Sequence, residues 1–182
     1  MAHISTGVEY ALHCLLYLVG RDDGPSPSTR DLAEFQGVSV SFVAKLFTRL
    51  EKAGLVGAAE GVRGGFRLAR PPEQISVLQV IDAVEGDKPL FDCKEIRANC
   101  ALYQETPAPA SITRGVCGIH AVMLQAEDAM RQTLGQHSLA DIAGGVAGKV
   151  SAGQRKATSD WFLDRAQSRT RGRQTAMNEE QI

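Results

Sequence analysis

Across residues 28–68 the order of helix signals, glycines and strand signals leaves few folds open. Ser28 is an N-cap candidate, and Asp31 three residues on places a carboxylate at the positive end of a helix. Gly37 breaks that helix after Gln36. Ser39 or Ser41 opens a second helix running to about Lys52, and Gly54 stands where a C′ glycine belongs. Two strand-like runs, 55–59 and 66–69, then flank a turn rich in glycine and arginine, which is the pattern of a β-hairpin. Helix, turn, helix and hairpin in this order is the plan of a winged helix-turn-helix. The expected fold class is mainly α with a small β-hairpin wing.

The flanking segments complete the plan. Val8, Ala11, Leu12, Leu15, Leu16 and Val19 follow the i, i+3, i+4, i+7 spacing of one buried face, predicting a first helix over 7–20. Beyond the hairpin, Pro71-Pro72 ends the wing, Ser76 caps a helix with Val77, Val80, Ile81 and Val84 inward, and Gly86 stops it. Residues 87–117 form a long irregular stretch interrupted by Pro89, Pro107 and Pro109, and a loop of that length usually has a function or is disordered. From 118 to 134, Ile119, Val122, Ala126, Ala129 and Thr133 step by threes and fours, the seam of a coiled-coil-like face that Met123, Met130 and Leu134 widen. A short helix is expected after Ser138. The chain therefore divides into a winged-helix DNA-binding domain (1–86), a cysteine-bearing loop (87–117), a long dimerisation helix with a short one after it (118–147), and a tail (148–182). The tail is polar and basic and is expected to be disordered, with a docking turn at Trp161.

The second helix of the motif divides cleanly. Val43, Leu46, Phe47 and Leu50 share one face, while Ser41, Lys45, Thr48 and Lys52 share the opposite one with Arg49 on its flank. A recognition helix needs this division, an apolar side locked to the scaffold and a polar side free for the major groove. Ser39 and Ser41 at its start suit phosphates, as do the backbone N–H groups there. In the wing, Arg63 precedes Gly64-Gly65, so the backbone can approach DNA closely while the guanidinium enters a groove. Net charge is −1, yet residues 28–70 hold seven basic groups against four acidic ones, a locally basic face on a neutral chain. The bland alternative is a solvated helix beside an ordinary hairpin.

Hydrophobic residues make up 43% of the 182 and charged residues 23%, a soluble globular composition. The apolar run near the start is short, contains Glu9 and His13, and has neither a basic leader nor a small-residue cleavage site, so a signal peptide is not expected. No stretch approaches the ~20 apolar residues of a membrane span. The expected setting is the cytoplasm, with no membrane partner, where clustered cysteines lean toward metal or redox chemistry.

Cys93, Cys100 and Cys117 fall in the irregular stretch and its end. Thiolates suit zinc, copper(I) or iron–sulfur clusters. Six residues separate Cys93 from Cys100 and sixteen separate Cys100 from Cys117, which fits structural zinc poorly because its cysteines come in C-x2–4-C pairs. Glu9 and His13 lie one turn apart on the first helix, a pair that on its own is more often a surface feature. Cys14 reads as a small core residue, and His120 and His137 as ordinary ones. No nucleophile–base constellation or phosphate-binding glycine loop suggests an enzyme. An iron–sulfur electron carrier, the other class considered, would need neither the recognition face nor the wing.

The runs VSVSFVAKLFTRLEKAGLV, RGGFRL and ISVLQVIDAVEG, followed by FDCKEIR and the helix from Gly118, resemble the Rrf-two (Rrf2) family of bacterial winged-helix transcription regulators over about residues 3–145. The resemblance implies a homodimer with crossed long helices, bound to a double-stranded operator of dyad symmetry and acting as a repressor. GVEYALHC and VCGIHAVM look most like the redox-sensing RsrR-type branch of that family. That branch implies a 2Fe–2S cluster held by Cys93 and Cys117 of one subunit and by Glu9 and His13 of the other. Many family members carry three closely spaced loop cysteines instead; here Cys117 is displaced to the head of a helix. The alternative is a 4Fe–4S or bare-thiol sensor of nitric oxide or peroxide using Cys93, Cys100 and Cys117.

Overall fold

The fold is described from a computed structural model that covers residues 4–20, 26–59, 64–86 and 88–179, with side chains to residue 169. Helix α1 (Thr6–Leu16) is capped by Ser5, whose hydroxyl accepts the Gly7 N–H. It ends four residues short of the predicted point and relaxes into turns over 17–20, although Leu18 stays buried. Helix α2 (Thr29–Gln36) starts in the full capping box: the Ser28 hydroxyl accepts the Asp31 N–H and the Asp31 carboxylate accepts the Ser28 N–H. Gly37 closes it at φ 67°, a left-handed conformation open to glycine at little cost. Helix α3 (Val40–Lys52) is capped by Ser39. Strands β1 (Val56–Ala59) and β2 (Gly65–Leu68) pair antiparallel, with Val56 opposite Leu68 and Ala59 opposite Gly65. Helix α4 (Val77–Glu85) begins in a second capping box at Ser76.

Helices α1 to α4 enclose the core, in which Val8, Ala11, Cys14, Leu15, Leu32, Val43, Phe47, Leu50, Val80 and Val84 are buried. The cysteine stretch has little regular structure, two 3-10 turns and the four-residue α5 (Ala110–Thr113). Helix α6 (Gly118–Gly135) then runs out from the core, and none of its residues is buried. It meets α4 through the bidentate ion pair of Arg131 with Asp82 at 2.8–3.0 Å. The seam residues Ile119 and Val122 are 65% and 61% exposed within the single chain. Helix α7 (Leu139–Ala147), capped by Ser138, turns back to the core and buries Leu139. Val77 N–H donates to the His137 carbonyl (2.8 Å) and Leu139 N–H to the Ile75 carbonyl (2.9 Å), fastening the α6–α7 corner to the start of α4.

The largest departure from expectation is the tail. Residues 152–179 are not disordered but form helix α8 (Ala152–Glu179). Phe162, at 1% exposure, and Ala166 are buried, and Trp161 packs beside them. The physical reason is a face of mixed chemistry: Phe162, Arg165, Ala166 and Arg169 follow i, i+3, i+4, i+7 spacing, and the arginines find carboxylates on α2. Among the described residues no helix is long and apolar enough to cross a membrane.

Candidate nucleic-acid interface and thiol site

Helix α3 presents the division read from its sequence. Val43, Leu46, Phe47 and Leu50 are buried, and Ser41, Lys45, Thr48, Arg49 and Lys52 are exposed. Ser39 accepts the Phe42 N–H and its hydroxyl lies 3.3 Å from that of Ser41, so both serines sit at the N-terminal end, where free N–H groups favour phosphate. Thr48 donates back to the Ala44 carbonyl at 2.9 Å. The Arg49 guanidinium donates to the Val84 carbonyl at 2.5 Å, satisfying one of the orphan acceptors at the C-terminal end of α4. Arg49 thus braces α3 against α4 and stays exposed on the flank of the open face formed by Ser41, Lys45, Thr48 and Lys52.

The wing is set by close packing. Phe66 meets Phe47 edge-on at 4.9 Å, and its N–H donates to the Pro27 carbonyl at 2.9 Å. At Gly65 a Cβ would stand 2.2 Å from the Ser26 carbonyl oxygen, so only glycine allows segment 26–27 to lie against β2. Gly64 is half-buried at the turn end of the hairpin, directly before β2. Arg63 falls among residues 60–63, outside the described residues.

The thiols are organised by a residue that sequence reading passed over. Arg97 makes a forked pair with Glu95 (2.5 and 2.6 Å) and donates to the carbonyls of Thr113 (3.0 Å) and Gly115 (2.9 Å), tying the loop to the approach to α6. Glu95 is the one non-glycine with positive φ among the described residues (48°), a strained geometry that the pair with Arg97 holds in place. The sulfurs of Cys93 and Cys117 both lie within the electrostatic reach of this guanidinium. Cys117 is the N-cap of α6, and the backbone N–H groups of His120 and Ile119, with Arg97 beside them, hold its thiol below the ordinary range. Cys14, in the core, has its thiol pushed up to about 12 by burial. Cys100 is exposed at the start of a 3-10 turn. A clue to Arg97 was present as the Glu-x-Arg of FDCKEIR, because an acid–base pair two apart in an irregular loop can fold the loop on itself.

Thiolate, not thiol, is what alkylating reagents attack. Maleimide or iodoacetamide labelling of the metal-free protein, followed by peptide mass analysis across pH 5–9, should therefore modify Cys117 with a midpoint below that of an ordinary thiol, and Cys14 last. Cys117 labelling with the profile of a free thiol would show that its environment does not favour the thiolate.

Glu9 and His13 are exposed one turn apart on α1. His13 also lines a cleft of about 590 Å³ between α1, α7 and α8, with Leu16, Val146 and Val150 among its apolar walls. Within one chain, the described residues contain no group of three or more His, Cys, Asp or Glu side chains close enough to hold a metal ion. The structure thus sets Cys93 and Cys117 within the electrostatic reach of one guanidinium and does not bring Glu9 and His13 to them. The donor chemistry still suits an iron–sulfur cluster: a favoured thiolate at Cys117, a second thiol in the loop before it, and on α1 an open carboxylate and imidazole.

Comparison with known proteins agrees with this architecture. The Rrf2 family model, described as an iron-dependent transcriptional regulator, matches residues 4–145. A Mycobacterium tuberculosis protein named as an HTH-type transcriptional regulator is 31% identical over 143 residues, 78% of this chain and 81% of its own length. The HTH-type transcriptional regulator IscR of Aliivibrio salmonicida is 39% identical over 90 residues, so the match spans 50% of this chain and about half (49%) of that relative. Among solved structures, IscR of T. potens superposes with a TM-score of 0.60 at 23% identity, covering 82% of this chain and 92% of its own, which is a likeness of fold. CymR, the global cysteine regulator of B. subtilis, gives 0.56 at 25% identity over 79% and 98%. With its recognition helix, wing and this match in hand, the chain belongs to the Rrf2 family and is a DNA-binding transcriptional regulator, not an enzyme.

Proposed function

We propose that this regulator works as a homodimer whose operator affinity is set by a 2Fe–2S cluster, with Cys93 and Cys117 of one chain and Glu9 and His13 of the other as ligands. The observation that carries the reading is the tie that Arg97 makes between the cysteine loop and the approach to α6, at whose N-cap the Cys117 thiolate is favoured. When bound, such a cluster supplies a one-electron couple whose potential imidazole ligation raises. The chain's own residues supply the rest. Arg97 ties the cysteine loop to the approach to α6, and the N–H groups of His120 and Ile119 stabilise negative charge on the Cys117 sulfur. Glu9 and His13 stand on the domain that carries α3, whereas Cys117 stands on α6, whose exposed Ile119 and Val122 suit a helix of a second chain. The ligand set therefore spans the dimer seam and the DNA reader. A shift between those elements changes the spacing of two recognition helices over a dyad-symmetric operator, with repression in the DNA-bound state.

Anaerobic purification tests this. The protein should be coloured, with about two irons and two sulfides per chain, and His13→Ala should change its absorption spectrum or reduction potential. An iron-free protein whose DNA binding ignores chelators would sink the reading. About four irons per chain, with Cys100→Ala destroying the site, would replace it by the three-cysteine 4Fe–4S alternative.

A further inference from the structure

Helix α8 lies beyond residues 4–145, the region shared with the family, so its contacts are an addition to the common plan. It docks on the end of α1, on α2 and beside the turn end of the wing. Phe162 packs on Tyr17 and Phe35 at ring separations of 5.5 and 5.0 Å. Arg165 pairs with Glu34 of α2 and lies 5.1 Å over the Trp161 ring. One turn further on, Arg169 pairs with Asp31, donates to the Ser26 carbonyl at 3.0 Å and reaches the Gly64 carbonyl at 3.4 Å.

Asp31, Ser26 and Gly64, three of the groups that Arg169 meets, belong to three different segments. Asp31 is the capping-box carboxylate of α2 and is only 4% exposed; it already accepts the Ser28 N–H (2.7 Å) and hydroxyl (2.8 Å). Ser26 is the residue whose carbonyl abuts Gly65, and Gly64 ends the turn of the wing, directly before β2. A two-stranded ribbon is marginally stable by itself, so a contact at its turn end helps to set its direction. A planar guanidinium can serve these separated acceptors at once, which a lysine ammonium on its flexible stem cannot do in the same way. We propose that α8 is part of the DNA-binding apparatus of this chain, with Arg169 as a positioning residue that clamps the wing to α2. DNA affinity then depends on a docked α8 even though Arg169 itself need not touch DNA. The proposal rests on the reading that the wing, through Arg63, contacts DNA.

A double-mutant cycle separates the two claims. Full-length wild type, Arg63→Gln, Arg169→Gln and the double variant are titrated onto a duplex selected by the wild-type protein from a randomised pool, at several salt concentrations. Each single variant should bind about tenfold more weakly, and the double variant no worse than Arg63→Gln within about twofold, because a misplaced wing has nothing further to lose. Multiplying effects would overturn the clamp, as they would mean Arg169 acts independently of the wing. A silent Arg169→Gln beside a damaging Arg63→Gln would also overturn it. A silent Arg63→Gln would instead overturn the wing contact, and the clamp with it. If Arg169→Gln proves misfolded, Arg169→Lys keeps a cation for Asp31 and decides the matter. It should fold normally, exchange amide hydrogens faster over residues 65–68 and bind more weakly; wild-type affinity and exchange would refute the role of the fork.

Discussion

Gly65→Ala should abolish operator binding while the helical core stays folded. The added methyl would stand 2.2 Å from the Ser26 carbonyl oxygen and 2.7 Å from that of Pro27. Both are backbone atoms, so no flexible side chain can yield. Segment 26–27 and β2 would have to separate, breaking the bond from Phe66 N–H to the Pro27 carbonyl and lifting Phe66 from Phe47. Overpacking of this kind with a lost buried hydrogen bond costs about 2–4 kcal/mol, most of it local to the wing. Far-UV circular dichroism should keep the helical signal, whereas fluorescence anisotropy on an operator duplex should show binding lost by more than tenfold. Gly57→Ala is the control, since its Cβ would meet nothing within 4 Å and should be tolerated. Equal behaviour of the two variants would mean that the wing does not need the close contact at Gly65.

The second large effect is expected from Phe162→Ala. Its ring is buried among Tyr17, Phe35 and Trp161, and removing a buried phenyl group typically costs about 3–5 kcal/mol. Because the Arg165–Glu34 pair is exposed and contributes little alone, while the Arg169 contacts lie a turn or more away, the loss should loosen the helix around residue 162 and expose Tyr17 and Phe35. Limited proteolysis should then cut within 152–169 while residues 4–145 survive, and the midpoint of denaturant unfolding should fall. Wild-type protease resistance together with an unchanged midpoint would show that Phe162 is not what seats α8.

Much of the winged helix was legible because local chemistry and tertiary packing agree there. Ser28, Ser39, Ser76 and Ser138 are caps in sequence and in structure, and the buried stripe of α3 follows from 3.6-residue periodicity alone. Legibility failed where a residue's partner is far away in the chain. Arg49 reads only as a base on the flank of α3, and its bond to the Val84 carbonyl is visible only once α4 packs beside it. The face of α8 holds one buried phenylalanine, one alanine and two arginines, so hydrophobic periodicity sees only an aromatic knot in a polar tail. Glu34 and Asp31, 131 and 138 residues away, turn those arginines into docking groups. At the thiol site the sequence supplies the donors and the structure supplies Arg97, whose carbonyl partners at 113 and 115 no spacing rule would have chosen.

The attachment of α6 has a mechanical consequence. Its C-terminal half is fixed by Arg131 on Asp82 and by the two backbone bonds at the 75–77 and 137–139 corner, while its N-terminal half, with Cys117 at the tip, meets the cysteine loop, where Phe91 lies 6.0 Å from the His120 ring. A helix of 18 residues is about 27 Å long, so moving the tip by ~2 Å about that pivot turns the axis by roughly 4°. The helix is thus a lever that exchanges displacement for angle. Ile119 and Val122, close to the tip, sweep through most of the movement; Arg131, close to the pivot, through almost none. Chemistry at Cys117 would alter how a neighbouring chain sits on this molecule well before it altered how the molecule itself is folded.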